Sequence, residues 1–160
     1  MKVLAIDTAT EQCSVAVRLD DRTIEQRVLT PRGHAELLLP MVDQVMSEAG
    51  CTLADMDGLA FGRGPGAFTG VRIAVGAIQG ISLGSGLPVV GISTLAAVAQ
   101  QFAVGSESVL VCMDARMNEV YWAVYARDRE GVLALQGEEH VGPPASIPWH
   151  GAGIAMGVGT

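Results

Sequence analysis

The chain has one lysine, Lys2, and ten basic residues in all against 17 acidic ones, for a formal net charge of −7 over 160 residues. Bare nucleic acid rewards basic patches, so charge-driven binding to it is excluded as a main activity; basic protein surfaces are the better match. Cysteine is scarce. Cys13, Cys51 and Cys112 are odd in number, far apart and form no C-x-x-C pair, which removes a disulfide framework and a thiolate zinc site. Long apolar runs are missing too. "MKVLAIDTAT" has one positive charge and too short an apolar run for a secretory signal, and residues 71–84, nearest to a membrane span, are too short. A soluble, cytoplasmic protein with no membrane partner is expected. The chain stops at the glycine-rich "GIAMGVGT" with no helix after it, as a fragment or processed chain would.

What is there is enough apolar material, 49% of residues, for one ordinary domain or two small lobes. "VLAID" (3–7) reads as a buried strand, "CSVAVRL" (13–19) as an alternating strand ending at a hairpin, and "TIEQRVL" (23–29) as a third strand. A helix fits Ala35 to Ala49, with Leu38, Met41, Val42, Val45 and Met46 on one face, Gly50 as C-cap, and Pro40 distorting or delaying its first turn. "GLAFG" is a strand, residues 70–84 a helix, "PVVGI" a strand, and Thr94 to Val104 a helix. Then the pattern restarts: "VLVCMDARMNEVYWAVYARD" (109–128) repeats the order of "VLAIDTATEQCSVAVRLDD" (3–21), with Asp114 on Asp7 and a polar turn of the same length. Two lobes of β-β-β-α-β-α-β-α form describe an α/β fold of the actin-like (ASKHA, ribonuclease H-like) kind. The first lobe would span 1–105 and an incomplete second lobe 106–160, with the two aspartates facing each other across a cleft.

Most familiar site chemistries fail on spacing. "FGRGPGAFTGVR" (61–72) contains G-x-G-x-x-A, but no Asp or Glu lies between Asp57 and Glu107 to hold a ribose, and Pro65 removes a backbone donor. No lysine is available for a Walker loop. "GISLG" (80–84) matches a nucleophile elbow, but a helical pattern precedes Ser82 where a strand is required. His34 is followed four residues on by Leu38, so one helix cannot offer the paired imidazoles a metal needs. Asp7 and Asp114, with the hydroxyls of Thr8 and Thr10, are the candidates for a magnesium-bound nucleotide, although Ala115, Arg116 and Met117 would crowd a phosphate clamp. The plainer reading, that both carboxylates satisfy backbone amides at strand ends, is preferred. Gly76, Gly80 and Gly84 repeat at intervals of four with Ala77 beside them. Each glycine costs its helix about 1 kcal/mol relative to alanine. Close packing on the chain's own sheet or a docking face for another protein would each offset that. Thr69 is the expected N-cap of this helix.

Together, "AIDTATEQCSVAV", "HAELLLPMVDQVM", "GPGAFTGVRIAVGAIQGISLG", "VVGISTLAAVA" and "MDARMNEVYWAVY" resemble the TsaB (YeaZ) family, closely over residues 1 to about 126 and loosely after Arg127. Members of that family usually continue past the point where this chain stops. The resemblance implies an actin-like fold and an accessory subunit without catalysis of its own, in the system that places threonylcarbamoyl on adenosine 37 of tRNA. It implies pairing with the metal-carrying TsaD-type catalytic subunit through the first two helices, recruitment of a TsaE-type ATPase, homodimers through the same helices, and only indirect contact with tRNA. No cofactor is expected beyond weak nucleotide binding. The partner-facing residues would be Leu37, Leu38, Met41 and Val45 on one helix and Arg72, Ile73, Gly76, Ala77, Gly80 and Gly84 on the other. His34 with Leu38 departs from the histidine pair of the metal-binding relatives, which agrees with the absence of a metal motif and puts the older peptidase label of this superfamily in doubt.

Overall fold

Strands β1 (Lys2–Asp7), β2 (Gln12–Leu19) and β3 (Arg22–Leu29) pair antiparallel in sequence order. Their alternation puts Leu4, Ile6, Cys13, Val15 and Val17 on one buried face. Helix α1 (His34–Ala49) crosses over to β4 (Gly58–Gly64), which runs parallel to β1 with Leu4 opposite Leu59 and Ile6 opposite Phe61. Helix α2 (Phe68–Ser85) then leads to β5 (Val89–Ser93), giving the order β3-β2-β1-β4-β5. These elements make up one compact unit, residues 1–92, of a chain whose second unit is 93–160. The computed structural model describes residues 1–104, 107–147 and the backbone of 156–159.

The core of the first unit joins Leu4, Ile6, Val15, Val17 and Leu59 of the sheet to Leu38, Met41, Val42 and Val45 of α1 and Ala74 and Ile78 of α2. Each fully buried aliphatic side chain contributes about 2 kcal/mol. Helix α1 starts at His34, ahead of Pro40, and carries that proline inside it. The expected late start is absent: the helix runs through the exposed Pro40, and burial of Leu38, Met41, Val42 and Val45 against the core offsets the lost helical bond and the crowding of the ring. Gly50 closes the helix at φ 66°, the left-handed cap for which glycine is favoured.

The second unit repeats the plan. Helix α3 (Thr94–Gln101) is capped by Ser93, whose Oγ accepts from the amides of Leu95 and Ala96. It buries Leu95 and Ala99 with Val109, Val111, Ala123, Tyr125 and Leu133, so this helix, expected to finish the first lobe, packs with the strands that follow it. Those are β6 (Ser108–Arg116), β7 (Glu119–Arg127), β8 (Leu133–Gly142) and β9 (Met156–Gly159), in the order β8-β7-β6-β9. Strand β9 runs parallel to β6 as β4 does to β1. The actin-like, ribonuclease H-like topology expected from the repeat is therefore present, with four strands of the second unit among the described residues. The two hairpins differ in one respect. Four residues separate β1 from β2, but only Met117 and Asn118 separate β6 from β7, and Arg116, Met117 and Asn118 all take positive φ. The turns are not of equal length, because the second closes as a tight left-handed turn where the first spreads over Thr8–Glu11.

Candidate functional site

The glycine-rich loop is explained by what its absent side chains would strike. A Cβ built on Gly62 would run into the Asp7 carboxylate, one on Gly66 into the carbonyl of Ala9, and one on Gly70 into the carbonyl of Thr8. The turn after β1 thus lies directly on the end of β4 and the first turn of α2. Two hydrogen bonds hold it there: the Ala67 amide donates to the Ala9 carbonyl at 2.7 Å, and the Thr8 hydroxyl to the Gly70 carbonyl at 2.6 Å. The amide of Ala67 is used by the protein itself, so this segment positions a helix where a phosphate loop would keep its amides free. Thr69 does not cap α2. The helix begins at Phe68 after Ala67, with no side-chain cap, because contacts with the β1 turn fix its start one residue ahead of the threonine.

Helix α2 is apolar nearly all round, and its arrangement divides that surface. Ala74 and Ile78 face the core, Ile73 and Ala77 are half-buried, and Arg72, Gly76, Gly80 and Gly84 are exposed. A Cβ added to Gly76, Gly80 or Gly84 meets nothing within 4 Å. The ridge is therefore open, and packing on the chain's own sheet does not account for its glycines. Apolar surface lies open beside it: Leu83 is 90% exposed and Phe68 71%. The Arg72 guanidinium sits 3.3 Å above the centre of the Phe68 ring and donates to the Phe68 carbonyl at 3.3 Å, a cation–π contact that stiffens the first turn.

Helix α1 contributes differently from the expectation. Leu38, Met41 and Val45 are 1%, 3% and 0% exposed and belong to the unit's core. They are corrected to structural residues, since a 3.6-residue period gives a helix one apolar stripe and here the sheet covers it. Leu37, half-buried, is the one member of that set at the edge of the surface. Between the first turns of α1 and α2 lies a cavity of about 410 Å³ bordered by Thr10, Glu11, Arg32, His34, Glu36 and Thr69. The exposure of Phe68 and Leu83 had no sequence signal, because a helix without a polar stripe does not reveal which side faces water.

The aspartates hold backbone. Asp7 Oδ1 accepts from the amide of Ala9 at 2.7 Å, and Asp114 Oδ1 from that of Arg116 at 2.8 Å. In both units the carboxylate thus closes its own turn two residues on. Burial pushes the Asp7 carboxyl above its usual 3.8, opposed by the Ala9 N–H. Thr8 is fully buried and spends its hydroxyl on Gly70, while Thr10 Oγ1 accepts from Gln12 at 3.2 Å. His34 is buried, and its Nε2 donates to the Thr10 carbonyl at 3.0 Å, fixing the start of α1 to the β1 turn. Ser82 lies inside α2 and donates to the Leu87 carbonyl at 2.8 Å, so it tethers a helix end where an elbow nucleophile would be exposed. The described residues contain no group of three or more His, Cys, Asp or Glu side chains that could hold a metal ion, and no described helix is long and apolar enough to cross a membrane.

Comparison with known proteins places these features. The profile of the TsaD family, tRNA N6-adenosine threonylcarbamoyltransferase, matches residues 21–151. The tRNA threonylcarbamoyladenosine biosynthesis protein TsaB of Escherichia coli is 50% identical over 141 residues, covering 87% of this chain and 60% of that protein. Its counterpart in Haemophilus influenzae is 44% identical, covering 81% and 56% respectively. The solved structure of YeaZ from Pseudomonas aeruginosa superposes with a TM-score of 0.90 at 44% identity, covering 98% of this chain and 74% of that one. The chain spans about 60% of the length of the curated relatives it matches.

Proposed function

The chain belongs to the TsaB/YeaZ family, and on that premise we propose that it is a noncatalytic accessory subunit in the threonylcarbamoylation of tRNA. It would bind and activate a TsaD-type catalytic subunit through the outer faces of α1 and α2. A TsaE-type ATPase would join the pair, and tRNA would be met only through the partners. The observation that carries this reading is the open ridge of Gly76, Gly80 and Gly84, none of which has a neighbour within 4 Å of a built Cβ, beside exposed Leu83 and Phe68. Residues four apart share a helix face, and glycine there lets another helix come close. The alternative, an ATP-dependent enzyme built on Asp7 and Asp114, is less well supported. Each carboxylate is engaged by an amide of its own turn, and Thr8 has no free hydroxyl. The test is isothermal titration calorimetry of the chain and its Gly80→Leu variant against the TsaD-type subunit of the same organism. Loss of binding in the variant is expected; equal affinity in the two would refute the docking face.

A further inference from the structure

We infer, on the docking reading given above, that the turn after β1 sets the spacing between the starts of α1 and α2, which makes Thr8 and His34 positioning residues for that face. Four residues, Thr8 to Glu11, separate β1 from β2. Two of them reach α2 and two reach α1. The Thr8 hydroxyl donates to the Gly70 carbonyl of α2 at 2.6 Å, and the Ala9 carbonyl accepts from the amide of Ala67, the residue before α2, at 2.7 Å. The Thr10 carbonyl accepts from His34 Nε2 of α1 at 3.0 Å. The Glu11 carbonyl accepts from the amide of Thr30, on the segment that leads into α1, at 2.8 Å.

Open space lies between the two first turns. The cavity of about 410 Å³ is bordered by His34, Ala35 and Glu36 of α1 and by Thr69, Gly70 and Ile73 of α2. Among the described residues, no hydrogen bond or ion pair runs directly from one first turn to the other. Deeper in, Leu38 and Val42 share the core with Ala74 and Ile78. Apolar burial is non-directional, and it fixes a helix end less sharply than a hydrogen bond of set length and angle does. Thr8 is 0% exposed and His34 8%, so both bonds are shielded from water. A helix pair whose starts are already spaced meets a partner without an ordering cost, and a loosened pair incurs that cost on binding.

The experiment uses the full chain and three variants. Thr8→Val keeps the volume and loses the donor, Thr8→Ser keeps the donor, and His34→Leu loses the link to α1. Titration calorimetry against the TsaD-type subunit is run far below the Tm, where a less stable but folded chain would keep its Kd. Thr8→Val and His34→Leu should each weaken binding about tenfold, and Thr8→Ser should bind like the parent. The double variant Thr8→Val/His34→Leu should be little weaker than either single one, because one lost link already frees the spacing. Amide hydrogen exchange of each chain alone should show that Thr8→Val deprotects Leu37 to Leu39 of α1, although the Thr8 side chain bonds to α2. Parent-like affinity for Thr8→Val, no rescue by Thr8→Ser, fully additive losses, or exchange altered on α2 alone would each overturn the inference and leave the docking face in place. A parent chain that does not bind the subunit overturns the docking reading. Exchange confined to α2 would then overturn the positioning as well, and exchange altered in α1 would uphold the link between the helices. If Thr8→Val fails to fold, His34→Leu takes its place, with loss of protection expected at Val71 to Ile73 of α2.

Discussion

Substitution at Gly80 separates the stability of this chain from its proposed docking. It lies in the middle of α2, is exposed, and a Cβ there has nothing within 4 Å. Its backbone is helical, so a larger residue adds no strain. Replacing glycine by alanine or leucine in a helix interior gains about 1 kcal/mol, mostly by restricting the unfolded chain. For a chain of this size that corresponds to a rise in Tm of roughly 2–4 °C. In a complex the same side chain stands where the partner's helix is proposed to lie. Overpacking of that kind costs about 1–3 kcal/mol, which weakens binding about tenfold to a hundredfold. Gly80→Leu is therefore expected to melt higher in differential scanning calorimetry and to bind the TsaD-type subunit at least tenfold more weakly in titration calorimetry. A lower Tm would mean that the ridge is packed within the monomer. An unchanged Kd would mean that it lies outside the interface. Either result refutes the reasoning.

Gly70→Ala should behave in the opposite way, since its Cβ falls on the Thr8 carbonyl; urea unfolding is expected to show a loss of about 3 kcal/mol. Ser93→Ala removes the side-chain acceptor for the amides of Leu95 and Ala96 and should cost about 1 kcal/mol, seen in the same measurement. Burial raises the Asp7 carboxyl above 3.8, so the folded chain holds that proton to higher pH than the unfolded chain does. Stability contributed by this group is therefore lost as pH rises from 3.8 through the raised value, and it stays lower above it. Asp7→Asn keeps an acceptor for the Ala9 amide and should exceed the parent in unfolding free energy at pH 7. The gap should close below about pH 3.8; a gap that persists there would show that charge burial is not its cause.

Several parts of this structure were legible from periodicity alone. The alternation in residues 13–19 fixed which side of β2 is buried, and the 3.6-residue stripe of α1 named Leu38, Met41, Val42 and Val45 as one face. The repeated strand–aspartate–turn–strand pattern announced the second unit, whose strand order matches the first. The site was harder to read. Apolar residues on α1 looked equally suited to a partner and to a sheet, and only the sheet's position showed that Leu38, Met41 and Val45 are already covered. Glycines spaced by four occur twice in succession. In the sequence, Gly62, Gly66 and Gly70 look no different from Gly76, Gly80 and Gly84.

The elements, their order and the duplication were readable in the residue order, because backbone pairing and burial impose periods of two and 3.6 that a linear string can carry. What each glycine is for becomes visible in the folded chain alone. The first three leave room for the turn after β1, where any Cβ would overlap Asp7, Thr8 or Ala9, and the last three face open space. That distinction depends on which distant segment arrives at each position, and no local spacing records it.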